Sequence, residues 1–179
     1  MFAMRPLEPR DQEVLWDLLH VALWDPPPAG LRPRAVLEHP GVRIYAEGWG
    51  REGDSGILGE WGGEKAPVGA AWMRLVTGGR GLAFVDDRTP QLGIALFPPF
   101  QRRGLGARLL AAALEAARGR YPRVSLTVHP ENPAIALYER CGFLKAGERN
   151  GYHLMVAELP ARAAAAVGWA PDCDAKGPP

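Results

Sequence analysis

The stretch Leu92-Gly93-Ile94-Ala95-Leu96-Phe97-Pro98-Pro99-Phe100-Gln101-Arg102-Arg103-Gly104-Leu105-Gly106-Ala107 decides how this chain folds. Its first six residues are an apolar run of strand length, and Pro98-Pro99 ends it because proline has no amide to give a ladder. From Gly104 the period changes, and Leu105, Leu109, Leu110, Leu114 and Ala117 fall on one face of a helix that runs to about Gly119. A buried strand, a glycine-containing loop and a long amphipathic helix therefore follow one another. The start of such a helix carries unpaired amides and a partial positive charge, and glycines let an anion come close to them. Arg102 and Arg103 add formal charge, which suits a pyrophosphate better than a single carboxylate. The loop also admits a plainer reading, in which Gly104 and Gly106 only permit a tight turn and the arginines are solvated.

Two known phosphate loops fail on the letters. A P-loop needs Gly-Lys followed by Ser or Thr, and lysine is absent from residues 101–107. A Rossmann fingerprint needs a small residue at position 109, which is Leu, and no acidic residue follows the start of the fifth strand in the expected way. Dinucleotide binding is the weakest of the readings kept open.

Working outward, residues 4–7 read as a first strand, and Val14, Leu15, Leu18, Leu19, Ala22 and Leu23 mark a helix entered at Asp11. Pro26-Pro27-Pro28 stops that helix, and residues 34–38 with 42–48 suggest a second, shorter helical region. Residues 57–61 and 67–76 flank Gly62-Gly63-Glu64-Lys65, which predicts an antiparallel hairpin. After residues 92–97 and the long helix, residues 123–128 alternate as a fifth strand. Residues 133–141 form a short helix closed by Gly142, and residues 143–147 and 152–158 two last strands. The predicted order is β-α-α-β-β-β-α-β-α-β-β. It forms one α/β domain of the α+β kind over residues 1–159, with an Ala/Pro/Gly-rich tail or small docked helix over residues 160–179.

The 179 residues suit a single domain, with 47% hydrophobic and 23% charged residues giving ordinary globular composition. Lys plus Arg is 21 against 20 for Asp plus Glu, a net charge of +1, so no electrostatic footprint for nucleic acid exists. No apolar run is long enough for a membrane span, and the N-terminus lacks a signal-peptide pattern. Cys141 and Cys173 fit neither a disulfide framework nor a metal site, so no metal is expected, and a reducing cytoplasm is the expected compartment.

The residues Gln101-x-x-Gly104-x-Gly106 after a strand resemble the Q/R-x-x-G-x-G/A loop of the GNAT superfamily of N-acetyltransferases. Asn132-Pro133-Ala134-Ile135-Ala136-Leu137-Tyr138-Glu139-Arg140-Cys141-Gly142-Phe143 resembles its Asn…Leu-Tyr…Gly-Phe helix and turn. The resemblance extends over residues 4–159 through the element order. It implies a mixed, mostly antiparallel sheet whose fourth and fifth strands splay apart to admit acetyl-CoA. Arg102, Arg103, Gly104, Leu105, Gly106 and Ala107 would then bind pyrophosphate beside Gln101, and the backbone of Ile94, Ala95 and Leu96 would pair with the pantetheine arm. The implied activity is acetyl transfer to a primary amine by direct attack through a tetrahedral intermediate. An amide near Leu96 would stabilise the oxyanion, Tyr138 would act as general acid, and Asn132 would fix the cofactor or a water.

Other accounts of these residues stand beside the implied ones. Tyr138 also fits a packed core tyrosine, and Asn132 a helix cap. Residues 92–97 contain no ionisable group, so the base falls to His129, whose ordinary pKa near ~6.5 suits the task. Glu131, Asp86, Asp87 and His153 are further candidates, and His129 also reads as a turn residue beside Pro130. Trp16, Trp24, Trp61 and Trp72 are expected in the core, with Trp49 a candidate wall of the acceptor site. A non-catalytic acyl-CoA-binding module is the alternative function, and a homodimer the expected assembly.

Overall fold

A computed structural model describes residues 1–161 and Cys173. Seven strands form one sheet: β1 (Phe2–Pro6), β2 (Ser55–Trp61), β3 (Ala66–Arg74), β4 (Gln91–Leu96), β5 (Arg123–Val128), β6 (Leu144–Arg149) and β7 (Tyr152–Glu158). Four α-helices accompany them: α1 (Gln12–Ala22), α2 (Pro40–Arg43), α3 (Leu105–Ala117) and α4 (Ile135–Arg140). The element order is the one expected, and most ends move by one to three residues; the exception is the second helical region, where α2 starts at Pro40 and ends at Arg43, five residues short of the expected residue 48. The proposed tail helix falls outside the described residues. No described helix is long and apolar enough to cross a membrane.

The sheet order is β1-β2-β3-β4-β5-β7-β6, antiparallel throughout except where β4 runs parallel to β5. Each face carries its own core. On one, Leu109, Leu110 and Leu114 of α3 are fully buried against Val124, Phe143 and Met155. On the other, Leu15 and Leu18 of α1 meet Leu58, Ala70 and Trp72. At about 1.5–3 kcal/mol for each fully buried large apolar side chain, these two layers hold the sheet rigid between them.

Ion pairs fasten the connections. Arg5 Nη1 and Nη2 bind both oxygens of Asp11 at 2.7 and 2.8 Å, while its Nε binds Glu60 Oε1 at 2.8 Å. Arg5 thereby joins β1, β2 and the entrance to α1, and its hydrogen bonds hold the Asp11 carboxyl below the usual range. More deeply, Arg74 Nε and Nη2 grip Asp54 at 2.9 and 2.7 Å, and its Nη1 donates to the carbonyls of Ile44 and Glu47.

Two expectations are corrected. Trp61 is not core: it ends β2 at the hairpin turn, is 39% exposed, and meets Phe100 with ring centroids 6.0 Å apart. Cys141 and Cys173 form a disulfide with Cα atoms 4.7 Å apart, although 32 residues separate them. Nothing in their spacing encodes this pairing. It removes the reading of two free thiols, and with it the cysteine-based ground for a reducing compartment.

Candidate active site

Strands β4 and β5 meet at one residue pair, Gln91 opposite Ser125, where the Ser125 amide donates to the Pro90 carbonyl at 3.0 Å. Past that pair they diverge. The Phe97 amide bonds Val68 O at 2.9 Å, so by strand alternation the odd-numbered groups of β4 face β3, and those of Leu92, Ile94 and Leu96 face the gap. The result is an unpaired strand edge inside a sheet, a surface onto which an amide-bearing ligand can add. At its far end the Leu96 carbonyl accepts Gln101 Nε2 at 2.8 Å, which gives the loop glutamine a positioning role.

The loop itself is built for exposed amides. Arg102 and Gly104 both have positive φ, 57° and 76°, and Gly104 caps α3 with no side chain bonded to the helix start. The first intrahelical bond is Arg108 N to Gly104 O at 3.4 Å, so the amides of Leu105, Gly106 and Ala107 precede the ladder. A Cβ on Gly106 would come 3.3 Å from Leu96 Cδ1, so this glycine also lets α3 close onto β4. Arg102 and Arg103 are exposed, and the Arg103 guanidinium lies 5.9 Å from the Phe100 ring centroid.

Where the strands separate lies a cavity of about 300 Å³. Its walls come from both cores: Leu92, Ile94, Leu126, Val128 and Tyr138 from the α3 and α4 side, Leu19, Ala22, Val42, Tyr45 and Trp72 from the α1 side. Gly93 lets the Trp72 ring pack against β4, since a Cβ there would lie 2.5 Å from that ring. Of the expected site residues, Ile94, His129, Asn132 and Tyr138 come together on this cavity. Ala95 points to the α1 core instead, and residues 101–107 lie at the head of α3, outside the cavity wall.

Tyr138 is 8% exposed, lies edge-on to Phe143 at 6.0 Å, and burial pushes its phenol up to about 12. Asn132 Oδ1 accepts the Ala134 amide at 2.9 Å, shaping the turn into α4 while the residue also borders the cavity. His129 lies between Trp24 and Tyr152, with ring centroids 5.8 Å from each. Its Nδ1 accepts the Glu131 amide at 3.2 Å, so the neutral ring carries its proton on Nε2.

The remaining base candidates lie elsewhere. Asp86 is engaged by Thr89, the Arg88 amide and Arg123, which hold its carboxyl far below the usual range. Glu131, Asp87 and His153 do not line the cavity. Neither does Trp49, which is buried with its indole N–H on the Leu7 carbonyl at 3.2 Å.

Among the wall residues that sequence reading missed are Trp24, Arg32, Tyr45 and Tyr152. Trp24 was expected in the core and Tyr45 in a helix, while Arg32 and Tyr152 carried no signal. Arg32 grips both oxygens of Asp25 at 2.7 and 2.6 Å and donates to Tyr152 Oη at 3.2 Å; its own carbonyl accepts His20 Nε2 at 2.7 Å. The segment after α1 is thereby tied to β7 along the cavity wall.

Comparison with known proteins agrees with this geometry. No curated protein matches by sequence. Among solved structures, a GNAT-family acetyltransferase from Streptococcus pneumoniae aligns with TM-score 0.60 and 22% identity, over 88% of this chain and 99% of that one. PaiA N-acetyltransferase from Thermoplasma acidophilum, in complex with coenzyme A, aligns with TM-score 0.63 and 15% identity over 88% and 99%. Spermidine N-acetyltransferase from Vibrio cholerae, in complex with CoA and spermine, gives 0.57 and 21% over 88% and 95%. The model of the acetyltransferase (GNAT) family matches residues 16–143, and the chain belongs to that family.

Proposed function

We propose that the chain transfers an acetyl group from acetyl-CoA to a primary amine, the two substrates meeting inside the sheet. One observation carries this: the cavity lies at the β4–β5 gap and takes its walls from the cores on both faces of the sheet. A thioester reaching in from the α3 side and an amine from the α1 side would meet without competing for space. The CoA complexes among the structural neighbours support acetyl-CoA as donor.

The chain's own groups fit such a donor. The amides of Leu105, Gly106 and Ala107, with Arg102 and Arg103 nearby, would hold the diphosphate, and the β4 edge at Ile94 and Leu96 would pair with the pantetheine amides. In the transfer the amine nitrogen bonds to the acetyl carbon, the C–S bond breaks, nitrogen gives up one proton and sulfur acquires one. A gap-facing amide of β4 near Leu96 is the donor offered to the developing oxyanion, a contact worth about 3 kcal/mol.

Tyr138 serves the sulfur. A phenol near 12 stays protonated at neutral pH, but giving its proton outright to a thiolate with a parent pKa of ~8.5 is uphill by roughly 5 kcal/mol. Its role is therefore a hydrogen bond to the departing sulfur, with the proton arriving finally from water. Deprotonation of the amine is assisted by desolvation, because an apolar wall disfavours the ammonium form. His129 is the base within reach, through the tautomer that gives up the Glu131 amide at a cost of about 1 kcal/mol.

Release of free thiol from acetyl-CoA, assayed over a broad amine panel, tests the proposal. Amine-dependent thiol release supports it, whereas tight CoA binding without turnover would make the chain an acyl-CoA-binding module.

A further inference from the structure

Aromatic and aliphatic side chains make most of the cavity wall, among them Trp24, Tyr45, Trp72, Tyr152, Leu19 and Val42, with Thr127, His129, Asn132 and Arg32 as its polar members. Among the described residues no Asp or Glu lines it, and its one formally charged side chain is Arg32. Arg32 in turn holds both oxygens of the Asp25 carboxylate. That acid is spent on a cation of the protein.

Such a wall discriminates between amines by charge. A monoamine becomes neutral when it loses the proton that blocks attack, and its body then rests against apolar surface. A polyamine losing the same proton keeps at least one ammonium, which here would be desolvated with no carboxylate among the described wall residues to meet it. Resting on the acetyltransferase reading above, we infer that the acceptor is a monoamine with an apolar body of aromatic size, and that polyamines are poor substrates. Trp24, Tyr45, Val42 and Tyr152 would be its specificity-determining residues, with Arg32 neutralising Asp25 so that cations gain nothing at this wall.

The test compares 2-phenylethylamine with spermidine in thiol release from acetyl-CoA, at one pH and ionic strength. The expected kcat/KM ratio is about 100-fold or more in favour of 2-phenylethylamine. In Arg32→Ala, where Asp25 loses its partner, the ratio should fall about tenfold through a gain for spermidine, even if overall activity drops. Equal or better use of spermidine by the unaltered protein, or an unchanged ratio in Arg32→Ala, overturns the inference. If no amine elicits thiol release, the acetyltransferase reading fails on its own. Quenching of tryptophan fluorescence in the CoA-loaded protein then decides: 2-phenylethylamine acting at lower concentration than spermidine upholds the selectivity, and the reverse order overturns it.

Discussion

Arg32 Nη2 donates to Tyr152 Oη at 3.2 Å, joining the segment after α1 to β7 across 120 residues of sequence. Because Arg32 is also bound to Asp25, this one hydrogen bond ties that segment, at the cavity wall, to the strand beyond the gap. Tyr152→Phe keeps the ring against His129 and removes only the hydroxyl. It should lower unfolding free energy by about 1 kcal/mol in urea titration and raise KM for the amine more than it changes kcat.

Tyr138→Phe removes the hydrogen bond to the departing sulfur and should reduce kcat by roughly 10- to 100-fold while leaving the Kd for CoA, measured by calorimetry, within about twofold. The phenol's position near 12 adds a pH signature. Its proton stays on through the working range, so the falling limb of kcat should begin no lower than about pH 10. Stability carries the matching sign. The folded protein holds this proton more tightly than the unfolded chain, so the contribution is complete below pH ~10 and fades as pH rises toward about 12.

His129→Gln separates a base from a wall residue. If the imidazole takes the amine's proton, kcat/KM at pH 7 should fall about tenfold, and the deficit should shrink toward nothing near pH 9.5, where neutral amine is abundant. A deficit that is constant with pH would mean that the ring acts only by packing between Trp24 and Tyr152.

Arg74→Met should destabilise the fold by about 3–5 kcal/mol in denaturant titration. It strands the carboxylate of Asp54, only 4% of whose side chain is exposed, and frees the carbonyls of Ile44 and Glu47. Arg43→Met, which breaks exposed pairs with Glu38 and Glu47, should cost less than 1 kcal/mol.

What the sequence made legible follows from how local each signal is. The strand at residues 92–97, the turn at Gly104 and the face of α3 are written in neighbouring letters, and the structure has them within a residue or two. So are the loop and the α4 segment, which is why Ile94, Asn132 and Tyr138 could be named. The cavity is not local: Trp24, Arg32, Tyr45 and Tyr152 lie in four separate segments, and only the divergence of β4 from β5 brings them to one wall. Which backbone groups of β4 face the gap is not local either: the register of β3 against β4 turns those of Ala95 toward β3 and leaves those of Ile94 and Leu96 free. The Cys141–Cys173 bond was hidden for the same reason.

A crystal structure with CoA and an amine bound together reads the central claim directly. The account predicts the diphosphate on the amides of Leu105, Gly106 and Ala107, the sulfur within hydrogen-bond reach of Tyr138 Oη, and the amine nitrogen approaching through the gap from the Trp72 side. CoA bound away from the β4–β5 gap, or an amine on the same face of the sheet as CoA, would contradict it.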